Sequence, residues 1–600
     1  MSKKQSNGGI SILFGITFLS PVTYSIVVYE MDVVQRMFFF SVALLLFAVF
    51  IAKYKSGLVL PLNKFLSVLI FLLPVTFLTA FINGSANLLF LKLSDIIIPL
   101  TILLQSALLL IMLGEEKFFK VVSYSVVIVS ILFSIVGVLE VFQIKIIPLP
   151  TFIPPGSTLG HRSFAAEYLL SSLPFFLILK EYVGKDRKIF LILAAVINVS
   201  FFLFTRNRSG IIILLVVAII YILFVLIKKK KGTGLKVLFP VLFVLVISFM
   251  ISLIPVKETE RPDLESTTKT IFDTDFKSNV LRMNFWDASL QMIKENPIAG
   301  IGLYKWSGYY PKYFGSYFND ENITYVHNIH AHNDFLELFA ENGISAALVF
   351  LLIYFTIAFS LFRRIRNNEK YFPLLLTFLI TAAYSLIAFP NYKFSSFFLA
   401  AVAAGTVLIN FQDTERYALN VKFKHLKWTL IALIIIGGST SYFKLRSEIN
   451  LGEAMFLKAR RQYVFMMQKL DNVSRILYPL DASKQPVDYY RGIANYYLHN
   501  YQEAIINDLA AREMAPFNPI ILNNVAAIYE VSGALDSAEV SFKRMKSLFP
   551  NYFKPQINLL TLYYETGKNE KAKLLFDELI SKYPTNSTLL ELKNRYQPKK

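Results

Sequence analysis

Cysteine is absent from the 600 residues, which excludes disulfides, cysteine-held haem and thiolate metal sites and leaves the redox compartment unread. Charge is scarce as well: 17% of the residues are charged against 55% hydrophobic, and 55 are phenylalanine. So few polar side chains cannot cover that much apolar surface in water, which excludes a soluble globular protein. Acids are the scarcer sign, 41 against 61 bases, for a net charge of +20. No basic stripe with interleaved aromatics accompanies that excess, so nucleic acid is not the expected partner. The lysines and arginines fall instead in short clusters between apolar runs, where they orient helices. No phosphate loop or nucleotide-sugar fold is visible. The basic start, "MSKKQSNGGISILFGITFLS", lacks a small-residue cleavage site and reads as an uncleaved first span.

What is present is a series of long apolar runs. A window of about 19 residues places spans at roughly 10–29, 36–52, 65–83, 94–113, 119–142, 164–180, 189–204, 209–227, 237–254, 344–362, 371–389, 394–410 and 428–443. The expected fold is therefore all-α, a polytopic membrane protein of 12 to 13 helices, with the short last span the one in question. With the N-terminus inside, the inner loops carry about 23 Lys and Arg and the short outer loops about seven, which fixes the orientation. Gly232 is then inside, and Ser266 and Asn322 are outside.

On that topology the turn "TRNRSG" faces outward with Arg206 and Arg208. Either these side chains snorkel to the interface or they hold an anion there. Two further outer segments favour the anion. One is "QIKIIPLPTFIPPGSTLGHRSFAAEYLL", which contains His161, Arg162 and Glu167; the other spans about 255–343, far longer than a connection requires. Within it, "SNVLRMNFWDASLQMIKENP" reads as an amphipathic helix. Leu281, Phe285, Ser289 and Met292 share one face, and Arg282 and Trp286 lie four apart on another. Such a helix suits either the lipid headgroups, with Arg282 at a phosphate, or the core of a small outer domain. Next comes "VHNIHAHNDFLELFAENG", with His327, His330 and His332, and after Asp334 the pattern becomes helical, so that His332 and Asn333 stand at or just before a helix N-terminus. A helix N-terminus keeps a nearby imidazole neutral enough to accept a proton. His327, His330, His332 and Asp334 as metal ligands, or simple loop hydrogen bonding, are the alternatives, but the spacing matches no metal signature.

"GHRSFAAEYLL", "TRNRSG", "RMNFW", "KENPIAGIGLYKW" and "HAHNDFLELFAENGISAAL" together resemble the O-antigen ligase superfamily in order and spacing. Its members include lipopolysaccharide ligases, O-antigen polymerases and protein O-oligosaccharyltransferases. The resemblance covers about residues 10–443. It implies a glycosyltransferase that uses a polyprenyl-diphosphate-linked glycan at the outer, periplasmic face of the inner membrane, by single displacement with inversion and without a cofactor or obligatory metal. It also implies His332 as the central residue with Asn333 beside it, and Arg208 and Arg282 as partners. Asn207 stands where the family has serine, and "GHRSF" replaces its commoner Gly-Asn-Pro-Asn-Phe, which bears on His161 and Arg162 as donor contacts.

The chemistry asks for these residue types. A departing pyrophosphate needs planar guanidinium groups that hold two oxygens at once, which suits Arg208 and Arg282 with Arg206. An attacking hydroxyl needs a base, which suits His332. His161, Arg162, Asn333 and Trp286 complete the expected substrate contacts. The acceptor is expected to be lipid A core, with a protein hydroxyl next and a growing chain third. A flippase or transporter would instead show charges paired along a buried path.

The last stretch changes character. Pro516, Pro550 and Pro584 recur at 34 residues, as do Gly533 and Gly567, Tyr529 and Tyr563, and Ala504, Ala538 and Ala572. That is the tetratricopeptide period, and it predicts an α-solenoid that offers a groove to a protein partner. The expected division is a membrane domain at 1–445 and a soluble repeat domain at 446–600. The repeats lie outside if there are 13 spans and inside if there are 12.

Overall fold

A chain crossing lipid must satisfy its backbone internally, and the apolar runs of this sequence are helical throughout the computed structural model. It describes residues 8–28, 30–53, 59–63, 68–228, 233–255, 267, 273, 277–323, 329–409 and 418–596. Gly232, Ser266 and His327 lie outside them. Among the described residues, 8 helices are long and apolar enough to cross a membrane, from Met31–Ile51 to Leu426–Ala459. Shorter apolar helices, among them Val68–Ile82, Tyr371–Ser385 and Phe394–Thr406, occupy the remaining expected positions. The protein is a multi-pass, essentially all-α membrane protein. One two-stranded ribbon departs from that class: Val59–Asn63 pairs antiparallel with Ala418–Lys422.

Two spans differ in length from the sequence reading. The first is helical only over Gly8–Thr17, because Pro21 permits no more than a 3-10 turn at Ser20–Val22. The last is far longer, Phe423–Ala459, since its polar continuation contains no proline to stop it. The sixth span is broken between Ser172 and Pro174, where proline removes a backbone donor.

The chain divides into two compact units: 1–283 with 297–300 and 331–446, and 284–296 with 301–330 and 447–600. In the first unit, loops of like parity meet. At one face Glu115 accepts from Asn368 Nδ2 at 3.0 Å and from the Tyr371 hydroxyl at 2.7 Å. Lys370 bonds Glu116 at 2.5 Å there, and the ribbon joins two loops of the same set. At the opposite face Arg36 pairs with Asp95 at 2.8 Å and Asp32 accepts from the Phe394 amide at 3.1 Å. Lys444 also reaches Asp95, at 3.2 Å. The final long helix therefore starts at the ribbon face and carries Lys444 to the other.

In the second unit, helix pairs recur every 34 residues. The first helices end at Tyr497, Val531 and Glu565, and the second helices run Tyr501–Met514, Leu535–Leu548 and Asn569–Lys582. Ala504, Ala538 and Ala572 are fully buried at the crossings. The loop residues in this unit share its core. Phe285, Ala288, Met292, Trp306 and Tyr310 are buried together, and Trp306 Nε1 donates to Ser289 Oγ at 2.9 Å. The 284–295 stretch is thus a core helix. Residues 308–320 lie along the turns between repeats: the Phe517 amide donates to the Gly308 carbonyl at 3.1 Å, and Asn551 Nδ2 to the Ser316 carbonyl at 2.6 Å. The Phe553 and Lys554 amides donate to Asp320 at 2.7 and 3.1 Å. A Cβ at Gly308 or Gly315 would collide with Ala515 or with the Leu548 carbonyl, so glycine permits this approach.

One repeat core carries a misfit. Asp508 is fully buried, and neither of its carboxylate oxygens has a partner among the described residues. The residues 34 and 68 positions on are Phe542 and Phe576. Burial pushes the Asp508 carboxyl up to about 8. The unfolded chain then loses this proton near pH 4 and the folded chain near pH 8, so this group's contribution is best below pH 4 and is lost as pH rises through 8. Asp508→Asn should remove the pH dependence, and Asp508→Phe should stabilise the array by a few kcal/mol. Hydrogen exchange of the repeat amides from pH 5 to 9 would read both; unchanged protection in Asp508→Phe would refute the assignment.

Candidate functional site

Three helices of the first unit begin at one face, and each begins at a motif the sequence singled out. His161 is the N-cap of Arg162–Ser172, its Nδ1 accepting from the Ser163 amide at 3.1 Å. Asn207 precedes Arg208–Lys228 and its Oδ1 accepts from the Gly210 amide at 2.6 Å, so asparagine caps this helix. Asn333 caps Asp334–Arg364 through the Phe335 and Leu336 amides at 3.1 and 3.0 Å. Its observed role is to start this helix. Helix N-termini favour anions, and two of these open with an arginine.

The arginines converge. Arg208 lies within electrostatic reach of Arg162 and Arg282, and Asp273 is an acid that acts on it. Its guanidinium also donates to the Ser278 hydroxyl. Burial, and then Arg208, press the Arg282 guanidinium below its ordinary value, although arginine stays charged. Arg208 thus has like charge on two sides, an arrangement an anion would relieve. Arg206 is engaged otherwise: it is buried and donates to the Ser252 carbonyl at 2.7 Å and the Leu203 carbonyl at 3.3 Å. It thereby ties the ends of two helices, a structural task the sequence alone did not separate from anion binding.

A row of rings joins His161 to His332. His161 stacks on Phe164 at 4.6 Å, Phe164 meets Phe389 edge-on at 6.0 Å, and Phe389 meets His332 at 5.1 Å. Burial, with Arg162 and Lys393 beside it, holds the His161 imidazole down at about 4. It is neutral at physiological pH, and because Nδ1 accepts, its proton sits on Nε2 as a donor. His332 has a left-handed φ of 53°, which sets it just ahead of the helix. Asp334, buried behind it, accepts from the Asn391 amide at 3.2 Å and its Nδ2 at 2.5 Å, which holds the loop that carries Phe389. Glu167, buried, accepts from the Ser396 hydroxyl. Lys393 lies near Glu167 and 5.3 Å from the Phe164 ring. Lys393, Asn391 and Phe389 escaped the sequence reading; the one available signal was a lone lysine in a very short outer loop.

The "PIAG" turn is clasped to this helix. The Ile344 amide donates to the Pro297 carbonyl at 2.9 Å, and Asn83 Nδ2 donates to the Ala299 carbonyl at 2.8 Å. Gly300 and Gly343, with φ of 72° and 74°, have no room for a Cβ at this crossing. In the second unit Trp286 is partly buried with its Nε1 unpartnered among the described residues, and His330 is buried. Among the described residues no cluster of three His, Asp or Glu could hold a metal.

Two apolar crevices open in the first unit. One, of about 950 Å³, is walled by the helix Pro174–Leu179 and the helix that starts at Arg208, with Leu173, Leu214, Val217 and Tyr221. The other, of about 1360 Å³, is lined by Phe350, Tyr354 and Ala401 and has Asp334, Asn391 and Lys92 at its polar end.

Fold and site together define a multi-pass membrane protein with a group of arginines and an imidazole at one face. Residues 193–351 match the family model described as O-Antigen ligase, so this stretch is similar to an O-antigen ligase domain. It includes Arg206, Arg208, Arg282, Trp286, His332 and Asn333, while His161, Arg162 and the helical repeats lie outside it. No curated protein matches the chain.

Proposed function

We propose that the protein transfers a polyprenyl-diphosphate-linked glycan to an acceptor hydroxyl at the external face of the inner membrane. The observation that carries this reading is the convergence of Arg162, Arg208 and Arg282, with Asp273 as an acid acting on Arg208. The group suits a diphosphate whose charge grows as the glycosidic bond breaks. The crevice walled by the Arg208 helix suits the prenyl chain that the diphosphate carries. His161 Nε2 donates to a donor oxygen, and His332 takes the proton of the attacking hydroxyl as the new C–O bond forms and the diphosphate departs with its electron pair. The acceptor in this reading is lipid A core. A protein acceptor is the second reading, favoured by the 34-residue helical repeats, which resemble the peptide-binding tetratricopeptide arrays.

Arg208→Lys keeps the charge and loses the grip on two oxygens. Transfer by the purified variant should fall about 100-fold, roughly 2.7 kcal/mol of transition-state stabilisation. Transfer at the wild-type rate would remove Arg208 from the site. Deleting the gene and assaying both surface polysaccharide and glycoproteins distinguishes the acceptors: loss of polysaccharide attachment alone supports lipid, and loss of glycoprotein alone supports protein.

A further inference from the structure

The first helical repeat departs from its successors at a group of surface positions. Gly533 and Gly567 take left-handed φ of 79° and 70° between paired helices, and the first repeat has His499 there at φ 62°. A side chain in that region costs about 1 kcal/mol or more, and such strain is often kept for a function. The His499 side chain is exposed rather than packed. Its Nδ1 lies 2.9 Å from the Tyr501 hydroxyl. Tyr501 meets Tyr496 at 5.8 Å and Tyr496 meets Tyr497 at 5.4 Å. Tyr497 stacks flat on Tyr463, with centroids 4.4 Å apart and 8° between planes. The counterparts of Tyr497 are Val531 and Glu565, and those of Tyr501 are Leu535 and Asn569. Tyr497, His499 and Tyr501 thus depart from the repeat pattern, while Tyr496 recurs in the third repeat as Tyr564 and Tyr463 comes from the preceding helix Tyr463–Asp471.

Tyr497 is 54% exposed, although a tyrosine serving the core would be covered. Phenol rings offer a broad apolar face and a polar edge. A pyranose presents the complement, a face of C–H bonds ringed by hydroxyls. The His499 imidazole and the Arg461 guanidinium, which acts on Tyr463, add donors at the rim. An anchor for a protein partner would instead sit in a well-packed pocket.

We propose that Tyr463, Tyr496, Tyr497, His499 and Tyr501 form a glycan-binding subsite that holds sugar units of a polysaccharide apart from the bond-forming centre. The reason for a glycan to be present rests on the transfer reading above, but binding at the row needs no catalysis.

The test uses the full chain in detergent and, as probe, delipidated polysaccharide released by mild acid from the host's own surface. Calorimetric titration should show binding by wild type and by His332→Ala alike. Tyr497→Ala and Tyr463→Ala should each weaken it about tenfold, Tyr497→Phe should retain it, and Val531→Ala, at the second-repeat counterpart, should leave it unchanged. His499→Gly should weaken binding several-fold while the melting temperature holds or rises. Wild-type affinity in a folded Tyr497→Ala, no binding by wild type, or uptake of a proline-rich peptide in place of the polysaccharide would each overturn the proposal. Polysaccharide binding by a protein that fails to transfer would instead count against the transfer reading alone.

Discussion

Truncation after Arg446 should abolish glycan transfer to every acceptor, small or large, and not merely to the natural one. The repeats look like an appendage in sequence, placed after an enzyme core that would be complete without them. The second unit contradicts that simplicity, because residues 284–296 and 301–330 of the outer loop belong to it. Gly308, Ser316 and Asp320 take their partners from the turns between repeats. Without the repeats those amides and the Phe549 ring, which meets Phe318 at 6.1 Å, are gone. The 301–323 stretch would then lose its fixed conformation, and it lies in sequence between Arg282 and His332. Displacing a catalytic group by about 1 Å can cost on the order of 100-fold, so a loss at least that large is expected. Limited proteolysis should cut the truncated protein between 301 and 323 and spare the full chain there. A well-expressed truncation that glycosylates a small acceptor at the wild-type rate would show that the loop does not depend on the repeats.

His332→Ala should leave the protein in the membrane, still binding donor, with turnover lower by about 10²- to 10⁴-fold. Asn333 caps the helix and Asp334 bonds Asn391 of the neighbouring loop, and both ties remain in the variant. What disappears is an imidazole at the edge of Phe389. If donor binding and turnover fell together, His332 would be a binding group and not the base. Full complementation by His332→Ala in cells would eliminate the base assignment.

The helices, the two faces and the motif residues were legible because they rest on periodicity and charge, which are local. The 34-residue period likewise foretold where helices of the second unit would end. What stayed hidden depends on pairs far apart in the chain. Arg206 looks like a partner of Arg208 until Ser252 is found against it. The bond from Asn391 to Asp334 likewise leaves no mark in the sequence. The choice between an interfacial and a core helix at 284–295 turned on Trp306 and Tyr310, whose packing leaves no periodic mark. The length of the last span was missed for another reason. Hydropathy sees where lipid ends, but the helix itself continues through polar residues to Ala459.

The central claim is chemical transfer at the Arg208 face, and reconstitution tests it most directly. Purified protein in liposomes would receive labelled polyprenyl-diphosphate-linked glycan and a lipid A core acceptor, with a glycosylatable protein as the parallel acceptor. The account predicts glycosylated acceptor and released polyprenyl diphosphate in equal amounts, formed only when both substrates are on the face that carries Arg208 and lost in Arg208→Lys. Movement of intact donor across the bilayer with neither acceptor modified would contradict it and make the protein a transporter.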